Sequence, residues 1–355
     1  MGTEVDSHQI ALHASNCLGR RSNSKPAVVS AIGRILAIAR IASFVLLIHT
    51  HSDGATASQL PARMEGCTPP IASNRTVGVM SLPPLFFNGK PARAHTQGLE
   101  IIAGHCYVTA RLEDPKPRRA LLLRTSKTAK HWDIWDITPN GVNPSVGELV
   151  LDHPGGMQFD GRLLWIPIAT SQRGGRSLLC GFDIKKLRTN RPVTPQIQYA
   201  VADHIGALAV SRKRNLVVGA SWDTERVYVW NLKGHLERVL TPTELQAWQL
   251  GATSGSNTRS GVAVQDWKYV GDHLYASGLY KSAERASAVP RSRLLILSRF
   301  PQGYPETRIV PIQFHERVEL AAEGMAVLGD RIYFLPEDLK DSNRMFCVPI
   351  RNLPE

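Results

Sequence analysis

The chain has 355 residues, of which 43% are apolar and 20% charged, a balance that excludes a disordered chain and supports a folded body. A formal charge of +12 would suit nucleic acid, yet the basic residues are spread among loops (Lys116, Arg118, Lys185, Lys186 and Arg212 among them) without an aromatic stacking motif. No specific nucleic-acid partner is therefore expected; a small-molecule or anionic ligand suits the charge better, and a monomer is expected.

Residues 1–26 are polar. They lead into AVVSAIGRILAIARIASFVLLIHTHSDGATASQ, which carries Arg34 and Arg40, an apolar run from Ile41 to Ile48 and a small-residue site at Ala55-Thr56-Ala57. That order is the order of a secretory signal peptide, so residues 1–57 predict export to the periplasm or the medium, and residues 58–75 a linker. The alternative is an uncleaved anchor over residues 27–48. It would place both arginines within the span, at about 2.5–3.5 kcal/mol each if central.

From residue 76 to the end one pattern recurs. HTQGLEIIAGHCYVTAR starts at His95, HPGGMQFDGRLLWIPIA at His153, HIGALAVSRKRNLVVGASW at His204, TRSGVAVQDWKYVGDHLYASGLY at Thr258 and AAEGMAVLGDRIYFLPED at Ala321. Each reads as two apolar strands about a tight turn, such as Asp160-Gly161. The small residue before the first strand is Gly98, Gly156, Ala207, Gly261 or Gly324, so the spacings are 58, 51, 54 and 63 residues.

A third apolar strand follows each pair, with Arg119, Arg176, Arg226, Arg293 or Arg344 at its start. Less regular fourth segments come next. Four strands per unit is the blade of a β-propeller, in which each blade covers its neighbour's apolar face. The fifth unit stops after three strands, and TVGVMSLPPLFFNG, residues 76–89, resembles the missing fourth. The predicted fold is all-β: five four-stranded blades over residues 76–355, closed by an N-terminal outer strand. One short helix is predicted within residues 240–250, capped by Thr241 or Thr243 with Pro242 in its first turn.

Of the cysteines, Cys180 and Cys347 fall in blades that are not neighbours and should not bridge, whereas a Cys67–Cys106 bond is left open. No C-x-x-C pair signals a structural zinc or a redox motif.

The innermost strand of each blade lines the axis, and the loop into it opens on one face. His95, His153 and His204 stand three residues before the aligned small residue, so three blades present imidazole at one height; Thr258 and Ala321 occupy the place in the other two. Glu323 enters the same rim. Second strands return to this face and bring Arg111, Trp222, Tyr280, Lys281 and Glu337. Three imidazoles and a carboxylate form a ligand set for zinc or a similar divalent metal, here His95, His153, His204 and Glu323. As a catalytic set, His153 or His204 would be the general base and Glu323 the acid. Arg111, Trp222, Tyr280, Lys281 and Glu337 would bind substrate. The histidines could equally be architectural, satisfying buried backbone groups of a neighbouring blade.

EGMAVLGDRIYFLPED and GALAVSRKRNLVVGASW resemble the blade signatures of the phytase-like esterases, the gluconolactonase and paraoxonase relatives and the NHL repeats. With HTQGLEI, HPGGMQFDGRLLWIPIA and EGMAV in this order, the chain is similar to an uncharacterised family of exported bacterial and fungal propellers. Calcium sits on Glu, Asn and Asp in the gluconolactonase group; histidines replace most such oxygens here, which argues against calcium. The resemblance implies a fold and no reaction. Without a G-x-S-x-G elbow or a nucleophile cysteine signature, two readings stand: a metal-assisted hydrolase or lactonase-like enzyme with its site at the channel mouth, or a non-catalytic propeller whose rim binds a ligand or a protein.

Overall fold

Alternating apolar residues make strands that must bury one face each, and the chain solves this by stacking blades. A computed structural model describes residues 77–139, 150–189, 193–251, 261–281, 291–312 and 315–352. Residues 1–57, the 58–75 linker, Cys67 and Thr258 lie outside the described residues.

Blade 1 is built from Arg93–Ile102, His105–Asp114, Arg119–Ser126 and Asp133–Asp136, paired in that order. Blade 3 runs through Ile205–Ser211, Leu216–Ser221, Val227–Trp230 and Leu236–Val239, and blade 4 through Gly261–Val270, His273–Lys281, Ser292–Ser298 and Glu306–Pro311. Blade 5 contributes Gly324–Leu328, Arg331–Leu335 and Asn343–Pro349. Its fourth strand is Gly78–Leu82, from the opposite end of the chain, antiparallel to Asn343–Pro349 with Met80 opposite Met345. The protein is thus a five-bladed β-propeller, closed by the N-terminal strand as the sequence predicts. The short helix is Pro242–Ala247, with Thr241 as N-cap and Glu244 completing a capping box.

Blade 2 departs from the expected hairpin. Its inner strand is broken into His153–Pro154 and Gln158–Phe159, followed by Leu164–Ala169, Ser177–Phe182 and Ile197–Val201. The break falls where Gly155-Gly156 turns to the next blade: Gly156 N–H donates to Gly206 O at 2.8 Å and Gly156 O accepts from Leu208 N–H at 3.0 Å. A backbone bonded sideways to blade 3 cannot also bond to its own second strand.

The apolar interior divides into five clusters, each between two neighbouring blades. Leu99, Val108 and Leu121 meet Tyr333 and Met345 between blades 1 and 5, and Val218 and Trp248 meet Trp267 and Leu295 between blades 3 and 4. Met157 and Ile166 pack against Leu122 and Trp135 between blades 1 and 2.

At the aligned glycines the inner strands come so close that a Cβ is excluded. A Cβ on Gly156 would stand 2.6 Å from Asp266 Oδ1 and 2.7 Å from Gln265 O, and one on Gly324 would stand 2.9 Å from Leu99 N. The recurring small residue of each repeat is therefore a clearance requirement. Into this crowded axis the sheet sends four polar side chains. Asp266, fully buried, accepts from Leu99 N–H of blade 1 at 3.1 Å, from Met325 N–H of blade 5 at 2.9 Å, from Trp267 N–H at 2.9 Å and from Lys268 Nζ at 2.5 Å. Gln158 of blade 2 accepts from Val210 N–H and Tyr269 N–H and donates to Tyr269 O. Glu100 accepts from Phe159 N–H at 3.1 Å.

The three described cysteines, Cys106, Cys180 and Cys347, form no disulfide among the described residues, and all are buried. Burial pushes Cys106 and Cys180 up to about 12, so neither is a nucleophile at neutral pH.

Asp266→Ala would leave a buried ammonium without its carboxylate and three backbone N–H groups unpaired. It is expected to destabilise the protein by about 3–5 kcal/mol, read as a lower urea midpoint. Adding Lys268→Met should restore part of the loss, and an unchanged midpoint in Asp266→Ala would contradict the role assigned to this carboxylate.

Candidate functional site

The mouth is where inner strands start and second strands end, so antiparallel register decides which side chains meet. His95 lies opposite Arg111 in blade 1, His153 opposite Ala169 in blade 2, and Gly261 opposite Lys281 in blade 4. The histidines form a row. Ring centroids of His95 and His153 are 6.4 Å apart, those of His153 and His204 5.1 Å, and Trp222 closes the row edge-on to His204 at 4.6 Å. The three imidazoles expected at one height do come together.

Their hydrogen bonds give them different chemistry. His153 Nδ1 accepts from Arg111 Nη1 at 2.8 Å, so its proton sits on Nε2, which donates to Gln97 Oε1 at 3.2 Å. Both ring nitrogens are engaged. Burial first, then the charges of His204 and Arg111, holds His153 well below its usual pKa. His204 is 3% exposed and donates Nδ1–H to Thr170 O at 2.7 Å; burial lowers its pKa as well. These two rings are neutral at pH 7, and their bonds run to neighbouring blades. Of the two expected general bases, His153 has both ring nitrogens hydrogen-bonded, and His204 is buried edge-on to Trp222.

His95 is the imidazole with a free edge. Its Nδ1 meets Asp338 Oδ1 at 2.7 Å, its Nε2 stands 3.9 Å from Glu323 Oε1, and 32% of its side chain is exposed. The Asp338 hydrogen bond raises the His95 pKa, and the same bond lowers that of Asp338. Glu323 is withdrawn from water, and desolvation pushes its carboxyl up to about 8 despite the opposing pull of His95. The two groups face each other, so they titrate as a coupled pair. Gln97 Nε2, at 3.5 Å from Glu323 Oε2, links this pair to His153.

Arg111 is pinned by Glu113 at 2.5 Å, Ser171 at 3.0 Å and His153, and Ser171 donates to Asp152 at 2.7 Å. Its guanidinium is a fixed positive charge beside the His95–Glu323 pair. Trp222 is half-buried, with the Arg173 guanidinium 5.7 Å from its ring centroid. The remaining expected binding residues are engaged elsewhere. Lys281 pairs with Asp223, Tyr280 lies under Arg293 at 5.4 Å, and Glu337 takes Arg344 at 3.1 Å. Arg344 also reaches Glu316, Arg119 reaches Asp136, and Arg226 reaches Asp203 at 3.0 Å. Several of the arginines that start third strands are thus cross-braces.

The four expected metal ligands, His95, His153, His204 and Glu323, are not gathered into a metal site. Among the described residues no three His, Cys, Asp or Glu side chains are so placed, and the His153 lone pair already accepts from a guanidinium that would repel a dication. Zinc-type coordination would require displacing Arg111. Two residues that the sequence places at the rim without a role take part in the site: Asp338, at the end of a second strand, and Gln97, beside a bulge between Thr96 and Gly98.

Residues 123–298 match the model of DUF6454, a family of unknown function. No curated protein matches the chain. Among solved structures, this propeller is similar to a putative glycoside hydrolase from Bacteroides ovatus at 12% identity, over 83% of this chain and 98% of that one, with a TM-score of 0.45. It is also similar to a luciferin-regenerating enzyme at 10% identity, over 77% and 95%, with a TM-score of 0.43. Likeness at this level carries no inference about chemistry.

The raised carboxyl of Glu323 has a thermodynamic signature. Between its unfolded value of 4.5 and about 8, the native state binds more protons than the unfolded state, so stability falls as pH rises through that window and levels off above it. Glu323→Gln should flatten that slope, by at most about 1.4 kcal/mol per pH unit. Urea midpoints at pH 5, 6.5 and 8 measure it.

Proposed function

We propose that the mouth of this propeller is a general acid–base site that hydrolyses a small ester or lactone. The observation that carries the reading is the Asp338–His95–Glu323 arrangement: an imidazole oriented by a carboxylate on one nitrogen, with a raised carboxyl facing the other. His95 Nε2 takes a proton from water as the hydroxide oxygen bonds to the carbonyl carbon. Glu323, protonated in this state, donates to the leaving oxygen as the ester bond breaks. His95 then returns its proton to Glu323 and restores the starting state. Asp338 is a positioning residue that stabilises the imidazolium. Arg111, held by His153 and Ser171, supplies positive charge toward the developing oxyanion. A metal is not needed for these steps. The signal-peptide order of residues 27–57 supports export, so the substrate would be met outside the cytoplasm.

A second reading is a rim that binds without turnover; two clefts suited to a ligand, one lined by Arg214 and Arg299 and the other by Phe182 and Arg188, lie away from the mouth.

The test is a panel of aryl esters and small lactones with the purified protein. His95→Gln and Glu323→Gln should lower kcat by about 10²–10⁴, and Asp338→Asn should lower kcat and shift the acid limb of its pH profile. His204→Gln should act mainly on stability. Absence of turnover on every substrate, or an unchanged rate in His95→Gln, would remove the hydrolase reading and leave the binding one.

A further inference from the structure

The face opposite the mouth carries a second site, independent of the acid–base reading. There the turn between the first two strands of blade 3 holds Lys213 and Arg214, while blade 4 brings Asp272 and the turn after its third strand. Between them lies a cleft of about 390 Å³, lined by Arg214, Asp272, Arg299, Gln302 and Gly303. Its floor is rigid. Arg214 donates to Phe300 O at 2.6 Å and to Arg299 O at 3.0 Å, and its guanidinium lies 5.5 Å from the Tyr269 ring centroid. The Phe300 ring beneath is fully buried, edge-on to Trp248 at 5.0 Å.

The cations of this cleft differ from those of the mouth. At the mouth Arg111, Arg173 and Arg344 are each tied to carboxylates. In the cleft the Arg299 backbone is fixed by Asp272 O and Gln302 N–H, yet its exposed guanidinium makes no hydrogen bond or ion pair among the described residues. Lys213 Nζ is 3.5 Å from Asp272 Oδ1, with the two side chains 81% and 66% exposed, a contact that holds the ammonium only weakly. An uncommitted guanidinium and an ammonium, above a second guanidinium committed to the floor, match an oxyanion of more than one charge.

We propose that this cleft binds the phosphate of a phosphomonoester. Arg299 and Lys213 hold the phosphate oxygens, and Arg214 adds fixed charge from below. The space exceeds what a phosphate alone fills, and Asp272 can accept from hydroxyls, so the remainder is a small polyol such as glycerol. Tyr304, 97% exposed beside Gly303, offers that remainder an aromatic face. The same chemistry is presented by a soluble polyol phosphate and by the headgroup of an anionic lipid.

Calorimetric titration with glycerol 3-phosphate tests the first source, and co-sedimentation with phosphatidylcholine vesicles containing phosphatidic acid tests the second. Binding to either probe is expected, with a loss of about tenfold or more in the Arg299→Ala/Lys213→Ala variant and a smaller loss in Arg299→Gln. Lys185→Ala/Lys186→Ala removes the same charge from another part of this face and should retain binding. All variants lie on the surface and should melt with the wild type. Binding to neither probe overturns the proposal, as does wild-type affinity in the Arg299→Ala/Lys213→Ala variant. An equal loss in the Lys185→Ala/Lys186→Ala variant also overturns it, since attraction would then be diffuse charge rather than the cleft.

Discussion

Five inner strands crowd an axis so closely that a Cβ is excluded at the aligned glycines, and the rest of this propeller follows from how that crowding is relieved. Glycine at positions 98, 156 and 324 lets backbones approach within van der Waals contact, and the backbone groups thereby buried need partners. Asp266 supplies them to blades 1 and 5 at once, with Lys268 offsetting its charge. Gln158 does the same between blades 2, 3 and 4 without charge. The axis is therefore a plug of hydrogen bonds rather than a pore, and a ligand can be met only at its two ends.

The two ends differ in how their charges are committed. At the mouth, carboxylates alternate with arginines and histidines, so most charges are spent in bracing one blade against the next. What is left uncommitted is the free edge of His95, and beside it a carboxyl whose burial keeps its proton. That combination arises because Glu323 sits just before a glycine that must pass close to Leu99, which draws the carboxyl out of water while Asp338 reaches the imidazole from the end of the second strand. At the opposite end several cations also pair with carboxylates, Arg124 with Asp133 and Arg212 with Asp160 among them, while one guanidinium between blades 3 and 4 has no partner among the described residues.

The repeat, the blade count and the closing strand were all legible in the chain. A small residue at spacings of 51 to 63 residues, alternation on either side of tight turns and an N-terminal segment resembling a fourth strand are local signals, and their period maps directly onto blades. The row of histidines was legible too, since equivalent positions in successive blades must stand side by side around an axis. Their roles were not. His95, His153 and His204 occupy the same place in their repeats, yet Arg111 quenches one, Thr170 O and Trp222 enclose another, and Asp338 orients the third.

Sequence alone therefore determined the fold, its closure and the ring on which chemistry could sit, because these depend on periodicity and on the size of side chains at repeated positions. Only the tertiary structure decided which imidazole keeps a usable nitrogen, that Glu337 and Lys281 are spent on Arg344 and Asp223, that the four histidine and glutamate side chains do not converge on a metal, and that Arg299 faces a cleft. Each of those outcomes turns on a partner from another blade, hundreds of residues away in some cases, and on how far burial moves a proton; neither distance nor dielectric is written in the order of residues.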